Sequence, residues 1–127
     1  DADCVATESW ANEMTQRLSE KAVVAGLTKS LSNGKDYVSL YHDVFGTLNG
    51  RSFQGSKDNL LYATTCNFGI NLPKVSNLST TEILFDPSFP NAAFEDVEFC
   101  ARLRKSNISI FHEPKAVMHH DYDTSWK

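Results

Sequence analysis

Apolar residues recur along this chain at two spacings, and each spacing indicates a different element. Between residues 8 and 20, Trp10, Met14 and Leu18 lie four positions apart, which puts them on one face of a helix. The run 21–28 that follows is short, apolar and rich in valine, and it predicts a buried strand. The sequence therefore begins with a helix followed by a strand.

The middle of the chain alternates between turn signals and apolar runs. Residues 32–36 have the composition of a turn, and residues 46–58 contain turn signals that indicate a loop. The segment 37–45 between them fits either a helix or a strand. Residues 60–65 predict a strand that continues into 66–70.

The clearest helix in the pattern covers residues 95–106. Its apolar residues form one broad side, whereas Glu98, Arg102 and Lys105 follow the opposite side at helical spacing. We therefore expect one face of this helix to pack on the core and the other to face solvent.

Shorter elements complete the prediction. Pro73 can start a short helix, and residues 84–90 form an irregular apolar loop with two prolines. Two short strands, 108–111 and 116–118, flank Pro114, and a polar tail extends from 121 to 127. Because helices alternate with strands, the predicted fold class is α/β with layered elements.

Composition narrows the function classes. The 127 residues carry a net charge of −4, with Lys and Arg scattered, so a nucleic-acid partner is not expected. The sequence contains no CxxC pair. We therefore interpret Cys4, Cys66 and Cys100 as small buried residues of a protein from a reducing compartment, and we expect a cytoplasmic location.

The first candidate for chemistry is the acidic pair Asp1 and Asp3. On an extended segment, side chains two residues apart point the same way, so both carboxylates could face one divalent cation or its bound diphosphate. An exposed acidic strand end is the alternative interpretation.

The second candidate is the acidic start of the 95–106 helix. The helix dipole favours Glu95, Asp96 and Glu98 at this end, so structure alone can explain them. The same physics stabilises an ionised carboxylate that accepts a proton from an attacking hydroxyl.

The third candidate is the pair His119 and His120. Neighbouring residues on a strand face opposite ways, so at most one of them points into a given site. Neutral imidazole suits Mn²⁺-type or Zn²⁺-type ions beside carboxylates, whereas the alternative is a hydrogen-bonded structural histidine. We interpret His42 and His112 as structural.

The order of these segments resembles that of the family 2 glycosyltransferases. Residues 93–105, Ala-Phe-Glu-Asp-Val-Glu-Phe-Cys-Ala-Arg-Leu-Arg-Lys, resemble the family's Glu-Asp helix, and residues 114–120 resemble its closing Pro-to-His segment. Asp1-Ala2-Asp3 falls where the family has its metal-binding DxD motif. Two further segments, 63–70 and 84–89, resemble the strand before the acceptor region and the loop before the Glu-Asp helix.

The resemblance implies a GT-A fold, a layered sheet with flanking helices, and inverting transfer from a nucleotide-sugar donor to a glycan or lipid-linked acceptor. A UDP-sugar is the donor implied by its frequency in the family, with Mn²⁺ or Mg²⁺ as the cofactor. The resemblance implies that Asp3, Asp1 and His120 bind the metal and that Asp1, Asp3 and Asn67 contact the donor. It further implies that Asp96 is the general base and that Glu95 and Glu98 support it.

The resemblance also sets expectations about organisation. Family members carry a nucleotide-binding segment before the DxD motif, so we interpret 1–127 as the carboxy-terminal part of a single GT-A domain, truncated at its N-terminal half. That missing half is then a partner of this part, and the 127 residues alone are expected to be inactive. A lipid-linked acceptor would place the protein at a membrane surface.

Two other function classes remain open. A catalytically silent module derived from a transferase could bind a glycan or a partner through the 46–58 loop. Such a copy would tend to lose Asp3, Asp96 or His120, and all three are present. A phosphoryl or nucleotidyl transferase would need a phosphate loop, and the sequence contains no GxxxxGK[ST] run.

Overall fold

The computed structural model describes residues 2–33, 35–46, 48, 54–56, 59–78, 85–89 and 94–122. They form a small α/β domain, which confirms the predicted fold class. Six strands build one mixed sheet in the order β3-β4-β6-β2-β5, with β1 paired to β6. The strands are β1 Cys4–Ala6, β2 Val23–Ser30, β3 Gln54–Ser56, β4 Asn59–Leu60, β5 Phe68–Ile70 and β6 Ile110–His120.

Three α-helices accompany the sheet in the described residues: α1 Trp10–Glu20, α2 Tyr37–Phe45 and α3 Glu95–Lys105. The predicted helices 8–20 and 95–106 are thus confirmed, and the ambiguous segment 37–45 is a helix. Its ends explain the outcome, because the Asp36 carboxylate accepts a hydrogen bond from the Ser39 amide at 2.8 Å. Gly46 ends the helix in the left-handed region at φ 60°.

Strands β2 and β6 run parallel through the centre of the sheet and carry the core on both faces. On one face, Val24 and Ala116 pack against Met14 of α1. On the other face, Val23 and Ala25 belong to a cluster with the α3 residues Phe99, Cys100 and Leu103. The alternation of neighbouring side chains therefore produces three layers, with α1 and α3 on opposite sides of the sheet.

The two short strands predicted around Pro114 are one strand with a bulge. Gly26 pairs with Glu113 and Leu27 pairs with Val117, so three residues of β6 have no counterpart on β2. Pro114 explains the interruption, since proline has no amide hydrogen for a ladder. The bulge displaces the last third of β6, which carries both histidines.

The strand predicted for residues 60–65 is wrong. Strand β4 ends at Leu60, and Thr65–Asn67 forms a 3-10 turn before β5. Side-chain hydrogen bonds explain the difference, since Thr64 Oγ1 donates to the Leu48 carbonyl at 2.6 Å. The helix expected at Pro73 is present as the 3-10 segment Leu72–Leu78.

Several predictions fall partly or wholly outside the described residues. These are the position of Asp1, most of the 46–58 loop, the two ends of the 84–90 loop, and the tail beyond Tyr122. Within the described residues, no helix has the length and apolar character needed to cross a membrane.

Candidate functional site

A cleft of about 420 Å³ opens between the start of α3 and the end of β6. Its floor comes from the segment between β4 and β5, which includes Tyr62 and Cys66. We call the α3 side, Phe94–Val97, the helical wall. The strand wall is the group Asp3, Cys4 and His120 at the β1–β6 pair, of which His120 lines the cleft. The cleft thus brings two of the candidate regions together.

Asp96 lies on the helical wall and is held by one long-range contact. Its Oδ2 accepts a hydrogen bond from the Tyr62 hydroxyl at 2.8 Å. Burial raises the pKa of Tyr62 above its usual value, and the bond to Asp96 adds to the shift. Tyr62 therefore remains a hydroxyl donor at neutral pH and fixes the orientation of the Asp96 carboxylate.

The two glutamates of the same helix differ in position. Glu95 lines the cleft, and its buried Oε2 has no hydrogen-bond partner among the described residues. Glu98 does not line the cleft, and it forms a two-pronged ion pair with Arg102 at 2.7 and 2.8 Å. Of the two expected supporting residues, Glu95 is therefore placed at the site, and Glu98 belongs to the outer surface of α3.

The backbone that leads into the helical wall is strained. Phe94 precedes α3 in the left-handed region, with φ 67°, although it is not glycine. Its side chain is 72% exposed and lines the cleft. The turn at Phe94 sets the direction in which the first residues of α3 face the cleft.

The strand wall depends on the pairing of β1 with β6. Cys4 lies opposite His120 in this antiparallel pair, so their side chains share one face of the sheet. Asp3 precedes β1, and its carbonyl accepts a hydrogen bond from the Asp121 amide at 2.8 Å. His120 Nε2 lies 3.5 Å from Asp3 Oδ2, whereas His119 pairs with Val5 and faces the other way.

These side chains have the chemistry of a divalent-cation site. One carboxylate, one thiol and one imidazole offer ligand atoms within 4.8 Å of one another. His120 Nε2 is the ring nitrogen that faces Asp3, whereas the buried Nδ1 has no hydrogen-bond partner among the described residues. Asp3 and His120 are thus the two residues of this group whose carboxylate and imidazole suit the cation that the resemblance implies.

Two rings outside the predicted site hold the His120 imidazole. Tyr122 stacks on His120 with ring centroids 4.7 Å apart, and it also stacks on His42 of α2 at 4.0 Å. Burial lowers the pKa of His42, and nearby His120 lowers it further. A neutral His42 then packs as an aromatic ring, which agrees with its structural interpretation.

Asn67, expected to contact the donor, lies in the interior and is 2% exposed. Its Oδ1 accepts a hydrogen bond from Trp10 Nε1 at 2.8 Å, and its Nδ2 donates to the Ala116 carbonyl at 3.1 Å. Both ends of the amide thus join α1 to β6 inside the protein. Asn67 does not line the cleft, and it is left out of the proposed donor site.

Sequence reasoning missed three residues of the site: Cys4, Tyr62 and Tyr122. Composition alone groups Cys4 with the buried cysteines, yet Cys4 is only partly buried, unlike Cys66 and Cys100. Its position directly after Asp3 was the available signal. Nothing in the local sequence marks either tyrosine, because each acts through a contact that the fold creates.

A comparison of the chain with protein-family models finds no matching family, and a comparison with curated proteins finds no match. The glycosyltransferase resemblance therefore depends on the segments quoted above.

Proposed function

We propose that this chain supplies the metal-binding and acceptor-side residues of a GT-A glycosyltransferase. The reaction transfers a sugar, with inversion, from a nucleoside-diphosphate sugar to an acceptor hydroxyl of a glycan or lipid-linked molecule. One observation carries the proposal: the cleft that contains Glu95 and Asp96 also contains His120, whose ring lies beside Asp3. The acidic start of α3 thus shares a cleft with His120, one residue of the Asp3, Cys4 and His120 group.

Asp3 and His120 hold the divalent cation, which is Mn²⁺ or Mg²⁺ in the resemblance. When bound, the cation supplies positive charge that stabilises the departing nucleoside diphosphate. Asp3 is about half exposed and His120 mostly buried. The site can therefore admit a hydrated diphosphate on the side of Asp3, while the imidazole remains fixed by its stack on Tyr122.

Asp96 is the general base. Its carboxylate accepts the proton of the acceptor hydroxyl as that oxygen attacks the anomeric carbon. The hydrogen bond from Tyr62 holds one carboxylate oxygen and fixes the plane of the group. Glu95 lines the same cleft, and its Oε2, which has no partner among the described residues, can orient an acceptor hydroxyl. The chemistry needs no covalent intermediate on the protein.

The proposal is tested by calorimetric titration of the full-length protein with UDP, with and without Mn²⁺. We expect binding that requires Mn²⁺ and is lost in Asp3→Ala. His119→Ala is the matched control for His120→Ala, because the two imidazoles are adjacent and face opposite sides of the sheet. His120→Ala should weaken Mn²⁺-dependent binding, whereas His119→Ala should leave it nearly unchanged.

A second titration with GDP separates two kinds of failure. Binding of GDP but not UDP would identify the donor as a GDP-sugar instead of a UDP-sugar and leave the transferase proposal in place. No binding of either nucleotide, with or without Mn²⁺, would contradict the proposal and favour a silent glycan-binding or partner-binding module.

A further inference from the structure

Cys4 occupies a position in the strand wall that the proposed function does not use. Its pairing opposite His120 places the thiol and the imidazole on the same face of the sheet. Cys4 Sγ also lies 3.7 Å from Asp3 Oδ1. The thiol is therefore beside both residues to which the proposed function assigns the cation.

The separations of these atoms match those of ligands around one small ion. Nitrogen and oxygen ligands lie about 2.0 Å from zinc and sulfur about 2.3 Å, so tetrahedral neighbours are about 3.3–3.5 Å apart. The observed separations are 3.5 Å from His120 Nε2 to Asp3 Oδ2 and 3.7 Å from Cys4 Sγ to Asp3 Oδ1, so each carboxylate oxygen faces one of the other two ligands. All three ligand atoms lie within 4.8 Å, so small side-chain rotations bring them to one ion.

We propose that Cys4 is a third protein ligand of this site and that the site consequently prefers a thiophilic ion, Zn²⁺, to Mg²⁺ or Mn²⁺. The inference rests on the proposed function for the cation-binding role of Asp3 and His120. It adds Cys4 as a ligand and a preference for one kind of metal ion. Thiolate favours Zn²⁺, whereas Mg²⁺ and Mn²⁺ favour oxygen ligands. With three protein ligands, a tetrahedral ion retains one position for a water or a diphosphate oxygen.

Cation binding changes the charge of the site. The Cys4 thiol gives its proton to solvent, and the resulting thiolate forms the sulfur–metal bond, with no change in oxidation state. The partly exposed position of Asp3 gives the ion a path from solvent. A site with one carboxylate, one thiolate and one neutral imidazole then balances the charge of a divalent cation.

The direct test is titration of the metal-free full-length protein with Co²⁺, which substitutes for Zn²⁺ and produces a thiolate-to-cobalt charge-transfer band. We expect this band in the unaltered protein and its loss in Cys4→Ser. Cys100→Ala is the matched control, since it removes another thiol whose side chain is buried against α3 and the sheet. The band should persist in this control, and a thermal melt of each variant verifies that it is folded.

A competition experiment measures the selectivity. Zn²⁺ should displace Co²⁺ at far lower concentration than Mg²⁺ or Mn²⁺ does. Replacing Cys4 by serine should weaken Zn²⁺ binding by at least about tenfold. Removing a residue that only hydrogen-bonds to a metal ligand already costs about that much affinity, and loss of a ligand should cost more. The same variant should bind Mn²⁺ nearly as the unaltered protein does.

The outcomes distinguish this inference from the proposed function. A folded protein that binds UDP with Mn²⁺ but gives no charge-transfer band would overturn the role of Cys4 and leave the transferase proposal standing. A band that depends on Cys4 and His120 in a protein that binds no nucleotide would support the cation site and contradict the transferase proposal. A band that survives in Cys4→Ser would also overturn the inference.

Discussion

The two walls of the cleft are built in different ways. The helical wall uses consecutive residues at the start of α3, and its Asp96 has one hydrogen bond from outside the helix, the bond from Tyr62. The strand wall joins residues from β1 and β6, held by backbone pairing and by the stack of His120 on Tyr122. The helical wall is therefore local in sequence, whereas the strand wall exists only when distant segments meet.

The difference means that substitutions should affect the two walls separately. A change on the helical wall alters a side chain on a helix that is already packed through Phe99 and Leu103. A change near the β6 bulge alters the backbone that places His120. Chemistry and cation binding can thus be separated by experiment.

The largest expected effect is on the helical wall. Asp96→Asn should lower kcat by about 10²–10⁴-fold, the usual contribution of a general base, because the amide cannot accept the acceptor proton. Mn²⁺-dependent UDP binding should remain, since the cation ligands lie on the other wall. Steady-state rates and calorimetry measure the two properties.

Glu98→Gln is the control for Asp96→Asn, because Glu98 is on the same helix and pairs with Arg102 outside the cleft. Its turnover should be close to that of the unaltered protein. Loss of nucleotide binding in Asp96→Asn would mean that the Asp96 carboxylate binds the cation and is not the general base.

The next effect is on the strand wall. A Cβ at Gly26 would lie 2.2 Å from the Ala116 carbonyl oxygen and 2.5 Å from the Asn67 amide, next to the bulge of β6. Gly26→Ala should destabilise the protein by about 1–3 kcal/mol, as overpacking does, and should also weaken cation binding by moving β6. Thermal unfolding and metal titration measure the two effects.

Gly69→Ala is the control for this prediction. A Cβ there would contact the flexible ends of Leu18 and Met14, both at 2.8 Å, and these side chains can rotate away. A smaller loss of stability with unchanged cation binding is expected. Equal losses in the two variants would show that the backbone at Gly26 does not position the strand wall.

The smallest effect concerns the contact that holds Asp96. Tyr62→Phe removes the hydroxyl that donates to the carboxylate, and turnover should fall about tenfold, as one lost hydrogen bond to a charged group predicts. Cation and nucleotide binding should remain. A rate equal to that of the unaltered protein would mean that α3 alone orients Asp96.

The sequence predicted the helical wall better than the strand wall. The apolar spacing around Phe99 and Leu103 is sufficient to identify α3 and to place Glu95 and Asp96 in its first turn. It could not show that Glu98 turns outward to Arg102, because that depends on which face of the helix the cleft occupies. Helical periodicity shows which side chains share a face of the helix, but it does not show which part of the protein that face contacts.

The strand wall could be predicted only in part. Alternation along a strand separates His119 from His120, but the partner of His120 follows from the β1–β6 register. That register brings in Cys4, which composition alone had grouped with buried cysteines. The interior position of Asn67 was similarly invisible, because its partners Trp10 and Ala116 are far away in the sequence.

The pairing of β1 with β6 also has a consequence for the order of folding. Cys4 and His120 are 116 positions apart, so their contact closes nearly the whole described chain. Closing a long loop costs entropy before the contact returns any stabilisation, and such contacts slow folding. During synthesis the β6 segment emerges after β1, α1 and β2, so the Asp3, Cys4 and His120 group cannot assemble until β6 has been made. If this group holds the proposed cation, the ion can bind only after the two ends of the sheet's longest loop have paired.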